Sequence, residues 1–107
     1  MSDHGLSTLR IGAKFVSRTC STQVVVVRAP AQPVDLRCGG VAMTTPAVPA
    51  VQVGLQPGYT GGTVVGKRYV APEIGLEVMC VRAGDGSVAV GSRLLELKSA
   101  TPLPTSD

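Results

Sequence analysis

The chain repeats itself without a gap at an offset of 54 residues, and that self-similarity restricts its fold more than any other feature. The segment GAKFVSRTCSTQVVVVRA (12–29) lies over GKRYVAPEIGLEVMCVRA (66–83), so that Gly12 falls on Gly66, Val16 on Val70 and Val24 on Val78. Val27-Arg28-Ala29 falls on Val81-Arg82-Ala83, and Lys14/Arg68, Phe15/Tyr69 and Gln23/Glu77 are chemically close pairs. Carried on at the same offset, Val34 meets Val88, Leu36 meets Val90 and Met43 meets Leu97. A period of this size implies one supersecondary unit used twice, each copy hiding its apolar face against the other.

The local pattern of each copy is that of strands. Four consecutive valines from Val24 to Val27 favour an extended chain, because branching at Cβ restricts χ1. The stretch Ala29 to Pro33 breaks this strand, Val34-Asp35-Leu36 alternates like a second one, and Cys38-Gly39-Gly40 reads as a turn. In the second copy, Ala83-Gly84-Asp85-Gly86-Ser87 reads as a tight hairpin connection using φ > 0, and Gly91-Ser92 as another turn. Alternation then places Leu95 and Leu97 on one face and Glu96 and Lys98 on the other. Between the copies, residues 45–65 hold three prolines and four glycines, which exclude a regular element; Val48, Val51, Val53 and Leu55 predict that this connector lies against the protein. No stretch carries a helical stripe, so the reading is an all-β single domain. It comprises an N-terminal arm (1–11), a first repeat (12–44), the connector (45–65), a second repeat (66–98) and an extended tail (99–107).

Hydrophobic residues make up 44% of the chain and charged ones 16%, which excludes a disordered polymer; with one Phe and no Trp, the core must be built of Val, Leu and Met. The net charge of +3 arises in residues 1–65, and no Lys/Arg cluster interleaved with aromatics appears, which argues against a nucleic-acid surface. No apolar run approaches the ~18 residues of a membrane span. The opening MSDHGLSTLRIGAKF lacks a basic start followed by an apolar stretch, so a cytoplasmic location is expected. Three cysteines, an odd number, suit reduced thiols there.

The first repeat resembles a desulforedoxin, the small rubredoxin-like metal module also found at the front of desulfoferrodoxins. The resemblance rests on Gly12, on Phe15 three residues later, on Ser17 and Cys20 where that family has Cys-x-x-Cys, and on the Val24–Val27 strand. Leu36-Arg37-Cys38-Gly39-Gly40-Val41-Ala42-Met43 then matches Leu-x-Cys-Cys-Gly-x-x-Met, with Gly39 in place of a cysteine. The second repeat follows more faintly and keeps no ligand, with Ala71, Ile74, Ser92 and Arg93 at the equivalent places in sequence. Desulforedoxins pair as dimers, so the resemblance implies two tandem β units packed as an intrachain pseudo-dimer. A ~33-residue unit is small enough to need a metal or a partner. Structural zinc supplies ~10–16 kcal/mol, which about 400–650 Å² of additional apolar burial would offset.

Three readings of Cys20 and Cys38 stand side by side: half of a four-ligand iron or zinc site completed by His4, Cys80 or another chain; a redox-active disulfide, since both lie at the same end of one hairpin; or two inert packed thiols. Cys80, in mid-strand, reads as a buried small hydrophobe, and His4 as a solvated side chain. One histidine and no activating turn around a Ser or Cys give no catalytic triad, so no enzyme is expected. Arg28 and Arg82, identical in both copies, either bind an anion or partner carboxylate or cap carbonyls at the strand ends. The functional expectation is a non-catalytic accessory or structural subunit docking on a larger protein. The alternative is an iron- or zinc-binding redox or electron-transfer protein using Cys20 and Cys38.

Overall fold

The computed structural model describes residues 6–48 and 51–98; His4 and the 99–107 tail lie outside the described residues. The chain is all-β, as its pattern of short Val-rich runs predicts. Among the described residues nine strands follow in order: β1 (Lys14–Val16), β2 (Gln23–Arg28), β3 (Leu36–Cys38), β4 (Val41–Ala42), β5 (Arg68–Ala71), β6 (Leu76–Arg82), β7 (Val88–Val90), β8 (Arg93–Leu94) and β9 (Glu96–Leu97). Among the described residues a single 3₁₀ turn, Pro72–Ile74, joins β5 to β6. They form two antiparallel sheets, ordered β1-β2-β6-β5-β9 and β4-β3-β7-β8. Among the described residues no helix is long and apolar enough to cross a membrane.

The valine run works as alternation predicts. Val24 and Val26 of β2 are fully buried and Val25 and Val27 are half-buried, while Leu76, Val78 and Cys80 of β6 turn inward beside them. A single apolar cluster draws on both sheets, taking Phe15, Val24, Val26, Leu76 and Val78 from one and Leu36, Cys38 and Val88 from the other. Each fully buried Val or Leu contributes about 1.5–3 kcal/mol, and such contacts carry most of a core in which Phe15 is the one buried aromatic among the described residues. Glu77 is the charged residue of this interior edge: its carboxylate is bridged by Lys98 at 3.0 Å and by Arg68 at 3.0 Å, both of which hold it below the ordinary carboxylate range.

Both central pairings are symmetric about residues of like position. In β2–β6, Val25 faces Met79, with Val24 against Cys80 and Val26 against Val78. In β3–β7, Arg37 faces Ala89, with Leu36 against Val90 and Cys38 against Val88. Several backbone bonds also recur: Gly12 N–H to the Val26 carbonyl reappears as Gly66 N–H to that of Cys80, and Val26 N–H to Ala13 as Cys80 N–H to Lys67. Gly12 and Gly66 both need positive φ, at 90° and 84°. Beyond β6 the offset changes. The Met43 N–H bond to the Leu36 carbonyl recurs as Leu95 N–H to Val88, two residues earlier than the sequence alignment puts it. The cause is a shorter link, residues 83–87 in place of 29–35. By that bond pattern Val90 and Gly91, not Ser92 and Arg93, stand to Val88 as Cys38 and Gly39 stand to Leu36.

Two further expectations are corrected. Gly84 and Gly86 make no φ > 0 hairpin turn: neither is among the positive-φ glycines, and β6 and β7 belong to different sheets. They are glycines because other atoms crowd them. A Cβ on Gly84 would lie 2.4 Å from Thr22 Oγ1, and one on Gly86 would lie 2.9 Å from the Gly39 nitrogen. The strand drawn through Leu94 to Lys98 is also broken, because the chain passes from one sheet to the other at Leu95. Leu95 is therefore buried while Leu97, on the outer strand β9, is 54% exposed.

Candidate functional site

Cys20 and Cys38 do not share a hairpin, since β2 and β3 lie in different sheets, yet the fold brings their sulfurs to 3.9 Å. Cys38 ends β3 and is completely buried; Cys20 sits in the turn between β1 and β2 and is partly exposed. That turn is shaped by Ser17, whose buried Oγ accepts the N–H groups of Thr19 (3.0 Å) and Cys20 (3.2 Å). A short side-chain oxygen facing two successive amides is the usual way such a turn closes. Thr19 then donates from Oγ1 to the Cys38 carbonyl at 3.1 Å, tying the two cysteine-bearing segments together.

The roof comes from the other end of the chain. Gly86 N–H points at Cys20 Sγ from 3.3 Å, and a Cβ on Gly86 would stand 3.0 Å from Cys38 Sγ. A Cβ on Gly84 would stand 2.8 Å from Cys20 Sγ. Only a side-chain-free backbone lets this loop close over both sulfurs. The floor is a hydroxyl relay: Gly84 N–H donates to Thr63 Oγ1 (3.2 Å), which lies 2.7 Å from Thr22 Oγ1, itself 3.2 Å from Cys20 Sγ. With Thr63 Oγ1 accepting from Gly84, its own hydroxyl can donate to Thr22. The protonated Cys20 Sγ donates to Thr22 Oγ1, and on ionisation the Thr22 hydroxyl is the group that faces the charge. Such chains polarise one another in a dry interior, and Thr22 and Thr63 are both buried.

These surroundings separate the two thiols. Burial alone would push Cys20 up, but the Ser17 and Thr22 hydroxyls and the Thr22 and Gly86 amides outweigh it and bring it down from 9.0 to about 6. Burial pushes Cys38 up to about 12, and the neighbouring Cys20 charge adds to the rise. Near neutral pH the pair is therefore one thiolate and one thiol. Cys20 is thus the more exposed and the more readily ionised of the two sulfurs, with Cys38 buried behind it.

Iron or zinc, implied by the resemblance, meets a poor donor set. The 3.9 Å sulfur separation does match the ~3.8 Å edge of a tetrahedron with ~2.3 Å metal–sulfur bonds. Ser17 Oγ, 3.4 Å from Cys20 Sγ, offers a hydroxyl where a third thiolate would be needed. The fourth corner is closed. A Cβ on Gly39 would fall 2.2 Å from Thr19 Oγ1 and 2.6 Å from Leu55 Cδ2, so those side chains fill the place. Cys80 does not complete the site: its Sγ lies 3.1 Å from the Arg82 carbonyl on its own strand. Among the described residues no three His, Cys, Asp or Glu side chains gather in metal-binding range. Two thiols and a hydroxyl do not make the closed four-thiolate centre.

Sequence reasoning singled out Cys20 and Cys38 but missed Thr22, Thr63, Gly84 and Gly86. Thr63 and the two glycines carry no local signal, because they reach the thiols only through long-range closure. Cys20 opens onto a groove of about 730 Å³ between the β1–β2 turn and the connector, lined also by Ser17, Gln23, Gln52 and Arg82. Comparison with protein-family models, curated proteins and solved structures finds no match to this chain.

Proposed function

We propose that this protein is a small thiol–disulfide module in which Cys20 and Cys38 cycle between dithiol and disulfide. The observation that carries the reading is the paired geometry: an accessible sulfur held as a thiolate, 3.9 Å from a buried one held as a thiol. Attack by the Cys20 thiolate on an external disulfide forms a mixed disulfide and releases one thiolate. Cys38, giving up its proton, then attacks Cys20 Sγ and releases the second. The sulfurs need to close by only about 2 Å to reach bonding distance. A desulforedoxin-like ancestry is part of this proposal: the Ser17, Cys20, Cys38 and Gly39 positions would be a former metal knuckle pair, duplicated with its scaffold and left with two thiols. The test is peptide mapping after equilibration in dithiothreitol redox buffers. A single Cys20–Cys38 bond, reversible and lost in Cys20→Ser, is expected. An inability to form that bond, or a Cys20 alkylation rate at pH 7 equal to that of a short unstructured peptide, would sink the reading.

A second reading, docking as an accessory subunit on a larger protein, is favoured by a separate observation. The connector is pinned to the body, with Val53 N–H bonded to the Arg18 carbonyl, Gln56 N–H to Gly39 and Thr63 N–H to Gly84. Its valines nevertheless face outward: Val51 is 75% and Val65 59% exposed. An ordered segment that presents apolar side chains suits a partner surface. Co-purification of a stoichiometric larger protein, abolished by Val51→Asp with Val65→Asp, is the expected result. A partner retained by the double variant would defeat this reading.

A further inference from the structure

The groove beside Cys20 has a composition that selects what can reach the thiolate. One wall is the β1–β2 turn with Ser17, Cys20 and Thr22, and the other is the connector with Gln52. Gln23 and Arg82, cross-strand neighbours on β2 and β6, also line it. Arg82 is exposed and, among the described residues, bridges no carboxylate, unlike Arg37, Arg68 and Arg93, which all do. No acidic side chain lines this groove. Two carboxamides and a free guanidinium thus share the groove with Cys20, beside the apolar Val16, Pro46 and Val48, in an opening large enough for a short peptide-sized molecule. The Arg fork matches a carboxylate in two-point fashion, and the carboxamides suit amide groups.

We infer that the groove is a binding site for a low-molecular-weight disulfide of anionic, amide-containing character, with Arg82 seating a carboxylate of the substrate. This deepens the thiol–disulfide reading and rests on it. The balanced reaction is protein dithiol plus RSSR giving protein disulfide plus two RSH. Cys20 forms a bond to one substrate sulfur as the substrate S–S bond breaks. Cys38 then forms the Cys20–Cys38 bond as the mixed disulfide breaks; its proton leaves with one product thiol, and the other product leaves as a thiolate that takes its proton from solvent. Arg82 acts by holding the substrate and by attracting it electrostatically, and it has no part in the bond changes. A thiolate by itself repels an anionic substrate, so a fixed cation at the end of the groove is what makes such a substrate acceptable.

The experiment measures second-order rates of Cys20–Cys38 disulfide formation by reduced full-length protein with three probes: glutathione disulfide (anionic), 2-hydroxyethyl disulfide (neutral) and cystamine (cationic). Each is run with wild type, Arg82→Lys and Arg82→Glu, at low and at high salt. Glutathione disulfide is expected to be fastest with wild type, by about five- to tenfold over cystamine at low salt, with the gap narrowing at high salt. Arg82→Glu is expected to reverse that order. Arg82→Lys is expected to keep the sign of the preference and lose part of its size, because the two-point contact is gone. The same order of rates in wild type and Arg82→Glu overturns the groove assignment while leaving the dithiol chemistry standing. Failure of all three probes to form the Cys20–Cys38 bond overturns the underlying reading itself.

Discussion

Replacing Thr22 by Val tests the origin of the Cys20 thiolate at a single atom. Thr22 is completely buried and nearly the same shape as Val, so the substitution leaves the packing in place and removes the hydroxyl 3.2 Å from Cys20 Sγ. It also cuts the relay to Thr63, 2.7 Å away, which brings the Gly84 amide to bear on the sulfur. A hydrogen bond to a charged group is worth about 1.5–3 kcal/mol, and 1.36 kcal/mol corresponds to a tenfold change in ionisation. The Cys20 midpoint should therefore rise from about 6 to roughly 7–8. The other groups that face the sulfur, Ser17 Oγ and the Gly86 N–H, stay in place and keep it below 9.0. The assay is the pH dependence of iodoacetamide alkylation at Cys20, read by mass spectrometry in a Cys38→Ser background, with thiolate absorbance near 240 nm as the cross-check. Thr63→Val, which leaves the Thr22 hydroxyl in place but unsupported, should give a smaller rise. A Thr22→Val midpoint that does not move, or that falls, would refute the hydroxyl relay as the source of the thiolate.

Three other outcomes follow from the same geometry. Gly86→Ala places a methyl 2.9 Å from the Gly39 nitrogen and 3.0 Å from Cys38 Sγ, and should destabilise the fold by about 1–3 kcal/mol in urea unfolding; a stability equal to wild type would contradict the close approach of the roof. The reduced protein should grow more stable as pH rises from about 6 to 9, where Cys20 is ionised folded but protonated unfolded, and lose stability above 9, where Cys38 alone resists ionisation; a urea midpoint flat from pH 6 to 9 would show that Cys20 is not held as a thiolate. Val24→Ala, at a fully buried position where β2 meets β6, should cost about 2 kcal/mol, against less than about 0.5 kcal/mol for Val51→Ala at the exposed connector, both read from urea midpoints.

The strands and the site were legible in the sequence to different depths, because different ranges of interaction decide them. The all-β class and the inward valines follow from β-branching and alternation, which act between near neighbours, so Val24 and Val26 are found without any coordinates. The misplacement of Cys38 opposite Ser92 has a different cause. An ungapped comparison cannot sense that residues 83–87 make the crossing between sheets in fewer residues than 29–35, so the alignment stays in phase up to β6 and is two residues out beyond it. The glycine error has the same root. Gly84 and Gly86 were assigned to backbone dihedral freedom, a local property, when what they provide is room for atoms more than forty positions away, Cys38 and Gly39 among them. Ser17 and Cys20 are visible in the sequence as a position pair, but the surroundings that lower Cys20 include Thr22 and the Gly86 amide, with Thr63 behind Thr22, none of which a ligand motif includes. That dependence is itself informative. In a metal knuckle the ion sets the ionisation of its thiolates; here hydroxyls and backbone amides bear directly on Cys20. Two hydroxyls and two backbone amides directed at one sulfur, with its partner left to burial, are the arrangement by which a site without four thiolates keeps one sulfur charged and the other protonated. The two sulfurs are thereby made unequal, and only unequal thiols give an exchange reaction a defined first and second step.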